Sequence, residues 1–509
     1  MSETVSISLP SSRYLVLGLG LTGQAVARWL ARQGCGLVIA DTRPDLNVDS
    51  LMAELAGAQV ACHLGSNLGL ELLDEVDAVV VSPGLSPHQS PVAEFLKAAK
   101  DAGKAILCDI ELFAQALRSL AQSHGYQPTV VAVTGTNGKT TVTALARHMF
   151  EACGMRAVAA GNIAPPVLDA LAEATDQPAD RWPEAWVLEL SSFQLHYTDT
   201  LSLKAAVVLN LTQDHLDWHA SFEEYQADKA RIFAHAEICV VNRDDPVVLQ
   251  MVAGLDQPSV RSFGAGVPVL AHDLGLQTSQ DVRWVVSAEP EDFEDQGKPV
   301  RRRKGELPLA RAAGRLVRLM PSDALPMIGM HNVLNVMAAA MLCRAAGAGW
   351  APILKAAGTY HGEPHRMQFV RTIREVDFYN DSKGTNVGAT VAAVTGLDKP
   401  IILIAGGLSK GQDFTPLTQA LARKVRCVVL IGQDAPIMQT ALQASGIECL
   451  LCSDMAGAVR TAFDRAQVGH IVLLSPACAS FDMFKGYGHR GQVFMDEVAE
   501  LALSLGEVA

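Results

Sequence analysis

The sequence predicts an α/β protein of three domains, each built on a parallel sheet. Three observations carry this. Short apolar, β-branched runs end again and again in glycine- or serine-rich turns and lead into helical patterns, as strands do when they feed ligand-binding loops at their C-terminal ends. The alternation restarts after a polar stretch at 118–127 and again near Glu363. And 509 residues exceed what one hydrophobic core serves. The expected domains are 1–117, 118–362 and 363–509.

The first strand is Tyr14-Leu15-Val16-Leu17. Gly18, Gly20 and Gly23 follow as G-x-G-x-x-G, and a helix is expected over 24–32. A second strand at 37–40 stops at Asp41, where dinucleotide folds often place an acid that bonds a ribose. Ala78-Val79-Val80-Val81 then runs into Ser82-Pro83-Gly84. This unit is Rossmann-like, and its first turn offers backbone N–H groups and a helix start to an anion.

The middle domain opens on Val130-Val131-Ala132-Val133, then G-T-N-G-K-T-T from Gly135 to Thr141, then a helix expected over 142–149. Strand, phosphate loop and helix follow one another as in P-loop ATPases. Gly135, Thr136, Asn137 and Gly138 would cradle phosphates, Lys139 adds a full charge, and Thr140 brings a hydroxyl to a nucleotide-borne Mg²⁺. Val133 stands where the general motif has its first glycine, so the loop is a variant. Glu189 ends a strand at 186–190, where P-loop enzymes often keep a carboxylate for Mg²⁺. His215 follows the strand at 205–211, in Asp214-His215-Leu216-Asp217. Taken alone, an isolated histidine is usually structural, and Lys229 reads as a helix-surface lysine. Another strand is expected at 239–242. An insertion that is acidic over 289–295 and basic over 298–304 reads as a charged surface loop between strands at 284–286 and 316–320. A helix is expected over 331–346.

The last domain holds apolar strands at 376–380, 401–405, 427–431 and 471–474. Two of their ends are rich in turn chemistry, Gly406–Gly411 and Ser475–Ser480. The net charge of −13 argues against a nucleic-acid partner, which requires a basic face. The ten cysteines are scattered; Cys449 and Cys452 lack a second pair and read as buried strand cysteines rather than a zinc site. No leader pattern opens the chain and no run approaches the roughly 20 apolar residues of a membrane span. A cytoplasmic monomer without membrane insertion is expected.

G-T-N-G-K-T-T, E-L-S-S-F-Q-L, N-L-T-Q-D-H-L-D, the helix around Lys229, G-M-H-N-V-L-N and P-H-R-M together resemble the Mur ligases of peptidoglycan assembly, over about residues 14–491. These are ATP-dependent, amide-forming enzymes of three α/β domains. G-L-G-L-T-G with Asp41-Thr42-Arg43, Asn380–Asn386 and Ser475–Asp482 resemble the members that add D-glutamate. The D-N-P-R of the diaminopimelate-adding members is missing.

The resemblance implies that the first domain binds the UDP of a UDP-linked muramoyl-alanine rather than NAD. Leu21 and Thr22 would face the diphosphate, Asp41, Thr42 and Arg43 the uracil end, with Ser82, Pro83 and Gly84 alongside. Asn162, Ser191 and Gln194 would meet the muramoyl side. ATP would be held by 135–141, with Asn335 at the adenine and His365, Arg366 and Asp381 at the ribose and phosphates. D-Glutamate would sit among Lys383, Thr385, Lys410, Ser480, Phe481 and Tyr487; a phenylalanine is common where Tyr487 stands. Lys229 would carry CO₂ as a carbamate, which turns a cation into a metal ligand. Thr140 and Glu189 would then hold one Mg²⁺, and His215 and carbamylated Lys229 the other. Lys139, His215 and Lys229 are the implied catalytic residues. The implied reaction forms an acyl phosphate from ATP and transfers the acyl group to the amine of D-glutamate. Two alternatives stay open: another amino-acid-adding member of the family, or an NAD-linked oxidoreductase or regulator built on the first domain. The second leaves the phosphate loop, Glu189 and His215 without a task.

Overall fold

A computed structural model of the chain describes residues 7, 9–65, 68–255, 259–290, 311–409 and 411–507. Three sheets organise the described residues. They fall into two compact units, one of residues 1–320 and 337–357 and the other of 321–336 and 358–509.

The first unit holds two sheets. One is five-stranded and wholly parallel, in the order Val60–Leu64, Gly36–Asp41, Arg13–Leu17, Ala78–Val81, Ala105–Leu107. Its central strands are buried on both faces, which explains their unbroken apolar runs. Apolar layers cover it on either side, one built on Leu15, Val38 and Phe95, the other on Val16, Trp29 and Ile39. The helix after its first turn spans Leu21–Arg32, starting three residues earlier than the sequence pattern indicates, because the glycine turn passes straight into it.

The second sheet has nine strands. Arg315–Pro321, Val282–Glu289, Leu274–Ser279, Val260–Phe263, Ala236–Asn242, Leu203–Val208, Thr129–Thr134, Ala185–Glu189 and Ala157–Gly161 lie side by side in that order. The strands from Val260–Phe263 to Ala157–Gly161 are parallel. Leu274–Ser279 and Val282–Glu289 pair antiparallel, so the sheet is mixed at that edge rather than parallel throughout. Residues 291–310, with most of the charged insertion, lie outside the described residues. The helix after the phosphate loop is Lys139–Ala152, longer at both ends than its apolar core implies. The polar stretch at 118–127 is partly helical: Asp109–His124 is one helix that buries Leu112, Phe113, Ala116 and Leu120 together with the acids Asp109 and Glu111 of its first turn. Phe113 meets Trp186 edge-on at 5.1 Å, and the Trp186 indole donates to the Tyr126 hydroxyl at 2.8 Å, seating the helix on the second sheet.

The second unit is built on six strands in the order Gln368–Ile373, Val376–Asn380, Ile471–Leu474, Ile401–Gly406, Val425–Ile431, Glu448–Leu451. All neighbours are parallel except the first pair. Cores on its two faces alternate along each strand: Leu403 and Leu473 on one, Ile402, Ile404 and Val472 on the other. Cys449 and Cys452 are half-buried free thiols, less enclosed than expected, since Glu448–Leu451 is an edge strand. Among the described residues no helix is long and apolar enough to cross a membrane.

Gly161 ends the edge strand beside Glu189 with φ +113°, and a Cβ there would lie 2.4 Å from the Glu189 carbonyl oxygen. Gly161→Ala should therefore destabilise the protein by about 1–3 kcal/mol. A urea unfolding curve checks this by a lowered midpoint at unchanged slope.

Candidate active site

The strand Thr129–Thr134 delivers the chain to the phosphate loop, and Gly138, with φ +85°, turns it into the helix Lys139–Ala152. A side chain at Gly138 would strain that turn. The next strand pins the loop from beneath. The Thr136 N–H donates to the Asn210 carbonyl at 2.9 Å, and the Asn137 N–H donates to Asn210 Oδ1 at 2.9 Å. Asn210 Nδ2 returns a bond to the Asn137 carbonyl at 3.1 Å. Thr136 Oγ1 lies 2.9 Å from the Tyr225 hydroxyl. Lys139 folds back over the loop, donating to the carbonyls of Gly135 and Thr136 at 2.9 and 2.8 Å. Thr141 is buried one residue beyond Thr140.

Thr140 and Glu189 come together. Thr140 Oγ1 donates to Glu189 Oε2 at 2.8 Å, and Asn162 Nδ2 donates to Oε1 of the same carboxylate at 2.9 Å. A hydroxyl and a carboxylate at the mouth of a phosphate loop are the hard oxygen donors that Mg²⁺ takes.

Lys229 is not a surface lysine. It is only 2% exposed, and its Nζ donates to Thr134 Oγ1 at 3.2 Å and to the Gly135 carbonyl at 3.0 Å. The ring of Tyr225 lies 4.9 Å away. Burial pushes its amine well below the usual lysine value, and the charge of Lys139 pushes the same way; Asp214, Glu189 and Asp228 oppose them. His215 sits in a left-handed backbone conformation, φ 55°, with its ring edge-on to Phe193 at 4.9 Å. Burial lowers its pKa, as do Lys139 and Lys229, against Asp214 and Asp217.

The first sheet's loops adjoin this centre. Leu21 is 78% exposed at the open end of its helix, next to half-buried Thr22. Asp41 is buried beneath it, accepting from the Leu19 N–H at 2.7 Å and from Arg43 Nε and Nη2 at 2.8 and 2.7 Å. Thr42 stands between, half-buried. Ser82 Oγ donates to the Gly18 carbonyl at 2.6 Å, and the Pro83 carbonyl accepts from the Trp218 indole at 2.9 Å. Gly84 is exposed. Trp218 lies three residues beyond His215, so the loop at 82–84 and the histidine loop are tied together. Ser191 and Gln194 form a reciprocal cap on the short helix Ser192–His196.

The second unit assembles its own cluster at its strand ends. Asp381 accepts from the Met367 N–H at 3.3 Å and from Ser475 Oγ at 2.8 Å, and burial raises its carboxyl to about 6. His365 Nδ1 is 3.0 Å from Asn380 Nδ2, and the His365 carbonyl accepts from the Lys383 N–H at 3.1 Å. Burial and Lys383 lower the His365 pKa. Arg366 follows, with a buried Nε. The Lys383 ammonium stands 5.2 Å over the Tyr487 ring, and the Thr385 N–H donates to the Lys383 carbonyl at 2.9 Å. Ser480 is buried and Phe481, beside it, is 71% exposed. Asn335, buried on its helix, donates to Asn332 Oδ1 at 3.3 Å. Lys410 lies outside the described residues.

Several supporting residues were given no role from the sequence, although Asn210 opens N-L-T-Q-D-H-L-D and Tyr225 and Asp228 share the Lys229 helix. Asn210 and Tyr225 hold the phosphate loop. Asp228, beside Lys229, has Oδ2 at 2.9 Å from His196 Nδ1 and 3.3 Å from His219 Nδ1. Arg490, fully buried, donates to Ser382 Oγ and to the carbonyls of Ser382 and Cys478 at 3.0, 2.8 and 3.1 Å, bracing the two loops that carry Lys383 and Ser480. Each would read from sequence as an ordinary polar residue.

Comparison with known proteins matches residues 12–107 to the Mur ligase MurD-like N-terminal domain, 133–296 to the Mur ligase middle domain and 365–478 to the Mur ligase glutamate ligase domain. The chain is 54% identical to a UDP-N-acetylmuramoylalanine–D-glutamate ligase of Bordetella avium, over 97% of both chains. It is 48% identical to the protein of the same name from Ralstonia nicotianae, over 98% of this chain and 99% of that one. Among solved structures, MurF from Acinetobacter baumannii aligns over 96% of this chain and 90% of its own, with a TM-score of 0.55 at 16% identity. The UDP-N-acetylmuramate–alanine ligase of Thermotoga maritima covers 96% and 100%, with a TM-score of 0.54 at 16% identity. These two share the fold.

Burial alone would raise the Asp41 carboxyl, but the bonds from Arg43 and the Leu19 N–H outweigh it and hold its pKa below the usual 3.8. Its stabilising contribution is thus present above the unfolded pKa and lost as pH falls through the lowered folded value. Asp41→Asn should unfold at lower urea than wild type at pH 7, and the gap should close below about pH 4. A pH series of urea midpoints for both proteins checks it.

Proposed function

The chain belongs to the Mur ligase family, and from that membership we propose that it is an ATP-dependent ligase joining D-glutamate to UDP-N-acetylmuramoyl-L-alanine in peptidoglycan precursor synthesis. The near-full-length 54% identity to a ligase of that name carries the substrates. The convergence of Lys139, Thr140, Glu189 and Lys229 on one phosphate loop supports the reaction class. In this reading residues 1–117 bind the UDP substrate, 118–362 bind ATP and the metals, and 363–509 bind D-glutamate and contact the nucleotide.

A carboxylate is a poor electrophile and must be activated. One oxygen of the substrate's terminal alanine carboxylate attacks the γ-phosphorus of ATP; the bond to the β–γ bridging oxygen breaks and ADP leaves. The amine of D-glutamate then attacks the acyl carbon, the carbon–oxygen bond to phosphate breaks, and the ammonium proton departs with phosphate or water. Residues 135–138 present N–H groups to the phosphates, and Lys139, released from the loop carbonyls, follows the charge that develops on them. Thr140 and Glu189 would hold one Mg²⁺, and His215 with modified Lys229 a second; bound there, the metals would neutralise charge on the phosphate oxygens. A buried amine with a lowered pKa keeps the lone pair that adds to CO₂, forming an N–C bond and releasing a proton, and the carbamate product is an oxygen donor. Asp41, Arg43 and the helix start at Leu21 would hold the nucleotide end of the UDP substrate. Lys383, Thr385, Ser480 and Tyr487, with Lys410 and Phe481, would hold the two carboxylates of D-glutamate.

Phosphate release is the deciding assay. With UDP-N-acetylmuramoyl-L-alanine and ATP, D-glutamate alone in a panel of amino acids should support turnover, and Lys139→Ala should lose about 10³-fold or more. Turnover with another amino acid in preference to D-glutamate would make the chain a different member of the family. Wild-type turnover by a folded Lys139→Ala protein would remove the phosphate loop from the mechanism.

A further inference from the structure

Gln194 is 1% exposed, and Asp109, 2% exposed, lies against it from the first turn of the helix Asp109–His124. Gln194 Nε2 donates to both oxygens of Asp109, at 3.2 and 3.0 Å. Its Oε1 accepts from the Ser191 N–H and from Ser191 Oγ, each at 3.1 Å. The Gln194 N–H in turn donates to Ser191 Oγ at 3.2 Å. The amide is therefore tied at both ends, one N–H shared between the two oxygens of Asp109 and the carbonyl oxygen held by Ser191.

The direction of this chain of bonds is set at both ends, by the Ser191 N–H, which can only donate, and by the buried acid. A carboxylate only accepts, so Asp109 requires the NH₂ end of Gln194 to face it and the carbonyl end to face Ser191. That carbonyl then draws the Ser191 hydroxyl proton. With one lone pair taken by the Gln194 N–H, Ser191 Oγ has a single free lone pair and no free proton. We propose that Asp109 is a positioning residue for the UDP substrate: acting through the Gln194 amide, it makes Ser191 a pure hydrogen-bond acceptor, selective for an N–H or O–H of the ligand. This rests on the reading that Ser191 contacts that substrate. An asparagine at 109 replaces one acceptor by a donor and lets the Gln194 amide turn over, which sets its NH₂ against the Ser191 N–H and frees the serine proton.

Steady-state kinetics on the full chain test it, with Asp109→Asn, Gln194→Met, Ser191→Ala and the double variant Asp109→Asn/Ser191→Ala. Ser191→Ala should raise KM for the UDP substrate about tenfold, the loss of one hydrogen bond, with KM for ATP unchanged. Asp109→Asn and Gln194→Met should raise the same KM by a similar factor. The double variant should be no worse than Ser191→Ala, because Asp109 has no other route to the substrate. A damaged fold would instead raise both KM values and multiply in the double variant, which would overturn the proposal. If Ser191→Ala raises KM while Asp109→Asn and Gln194→Met do not, the role of Asp109 is wrong and the Ser191 contact stands. If Ser191→Ala leaves KM for the UDP substrate unchanged, Ser191 is not at that site and both fall. Should Asp109→Asn fail to fold, Gln194→Met decides, since it keeps the side-chain volume and removes only the amide.

Discussion

The amine of Lys229 is enclosed between Thr134, the Gly135 carbonyl and the ring of Tyr225, within the field of Lys139. An ammonium there has lost its water and faces a second cation, so the neutral form is favoured. Much of the surrounding architecture follows from holding that one nitrogen in place. The strand Thr129–Thr134 supplies its hydroxyl and carbonyl partners at the point where the phosphate loop begins, so the lysine and the loop share one origin. Tyr225, one turn earlier on the same helix, closes its side and reaches Thr136 with its hydroxyl.

The helix that bears Lys229 is itself held from two directions. Ser221 caps it, its side chain accepting from the Glu224 N–H, and Asp228 meets His196 and His219. His219 Nε2 lies 2.9 Å from Ser192 Oγ, next to the Ser191–Gln194 cap. Beyond that cap stands Asp109, on the helix that leads out of the first sheet. Trp218 completes the circuit by donating to Pro83. A continuous run of polar contacts thus joins the loop at 82–84, the histidine loop, the Lys229 helix and the buried acid. Low dielectric makes such a network costly to leave half-satisfied, so the members fix one another's orientation.

The sequence made the central strands legible because those of parallel sheets, buried on both faces, are written as unbroken β-branched runs, and the phosphate loop because its glycines, lysine and threonines are contiguous; Val60–Leu64, Ala105–Leu107 and Ala157–Gly161, short and half-exposed, carried no such run and went unread, as did Val260–Phe263. Helix ends were less readable: Leu21 and Lys139 start helices directly from glycine turns, without the polar cap residue that usually marks a beginning. Asp109–His124 hid its helix behind the polar residues of its solvent face. Of the antiparallel pair, Val282–Glu289 showed as a strand flanking the insertion, while its partner Leu274–Ser279 did not, nor did the end of the parallel order. Lys229 was illegible on physical grounds, since a lysine between aspartate and alanine on an amphipathic helix is ordinarily solvated. Only resemblance to a family singled it out, and its burial depends on contacts 95 residues away at Thr134. Asp109 and Gln194 are a similar pair, 85 residues apart in sequence and adjacent in the fold.

The proposed carbamate requires that Lys229 be a neutral amine that CO₂ can reach. The direct measurement is ¹³C NMR of the protein equilibrated with ¹³C-bicarbonate near neutral pH, for wild type and Lys229→Arg. A carbamate resonance in wild type, absent from Lys229→Arg and strengthened by Mg²⁺ with a non-hydrolysable ATP analogue, is the predicted result. A spectrum with no carbamate signal, or one that persists in Lys229→Arg, would contradict it.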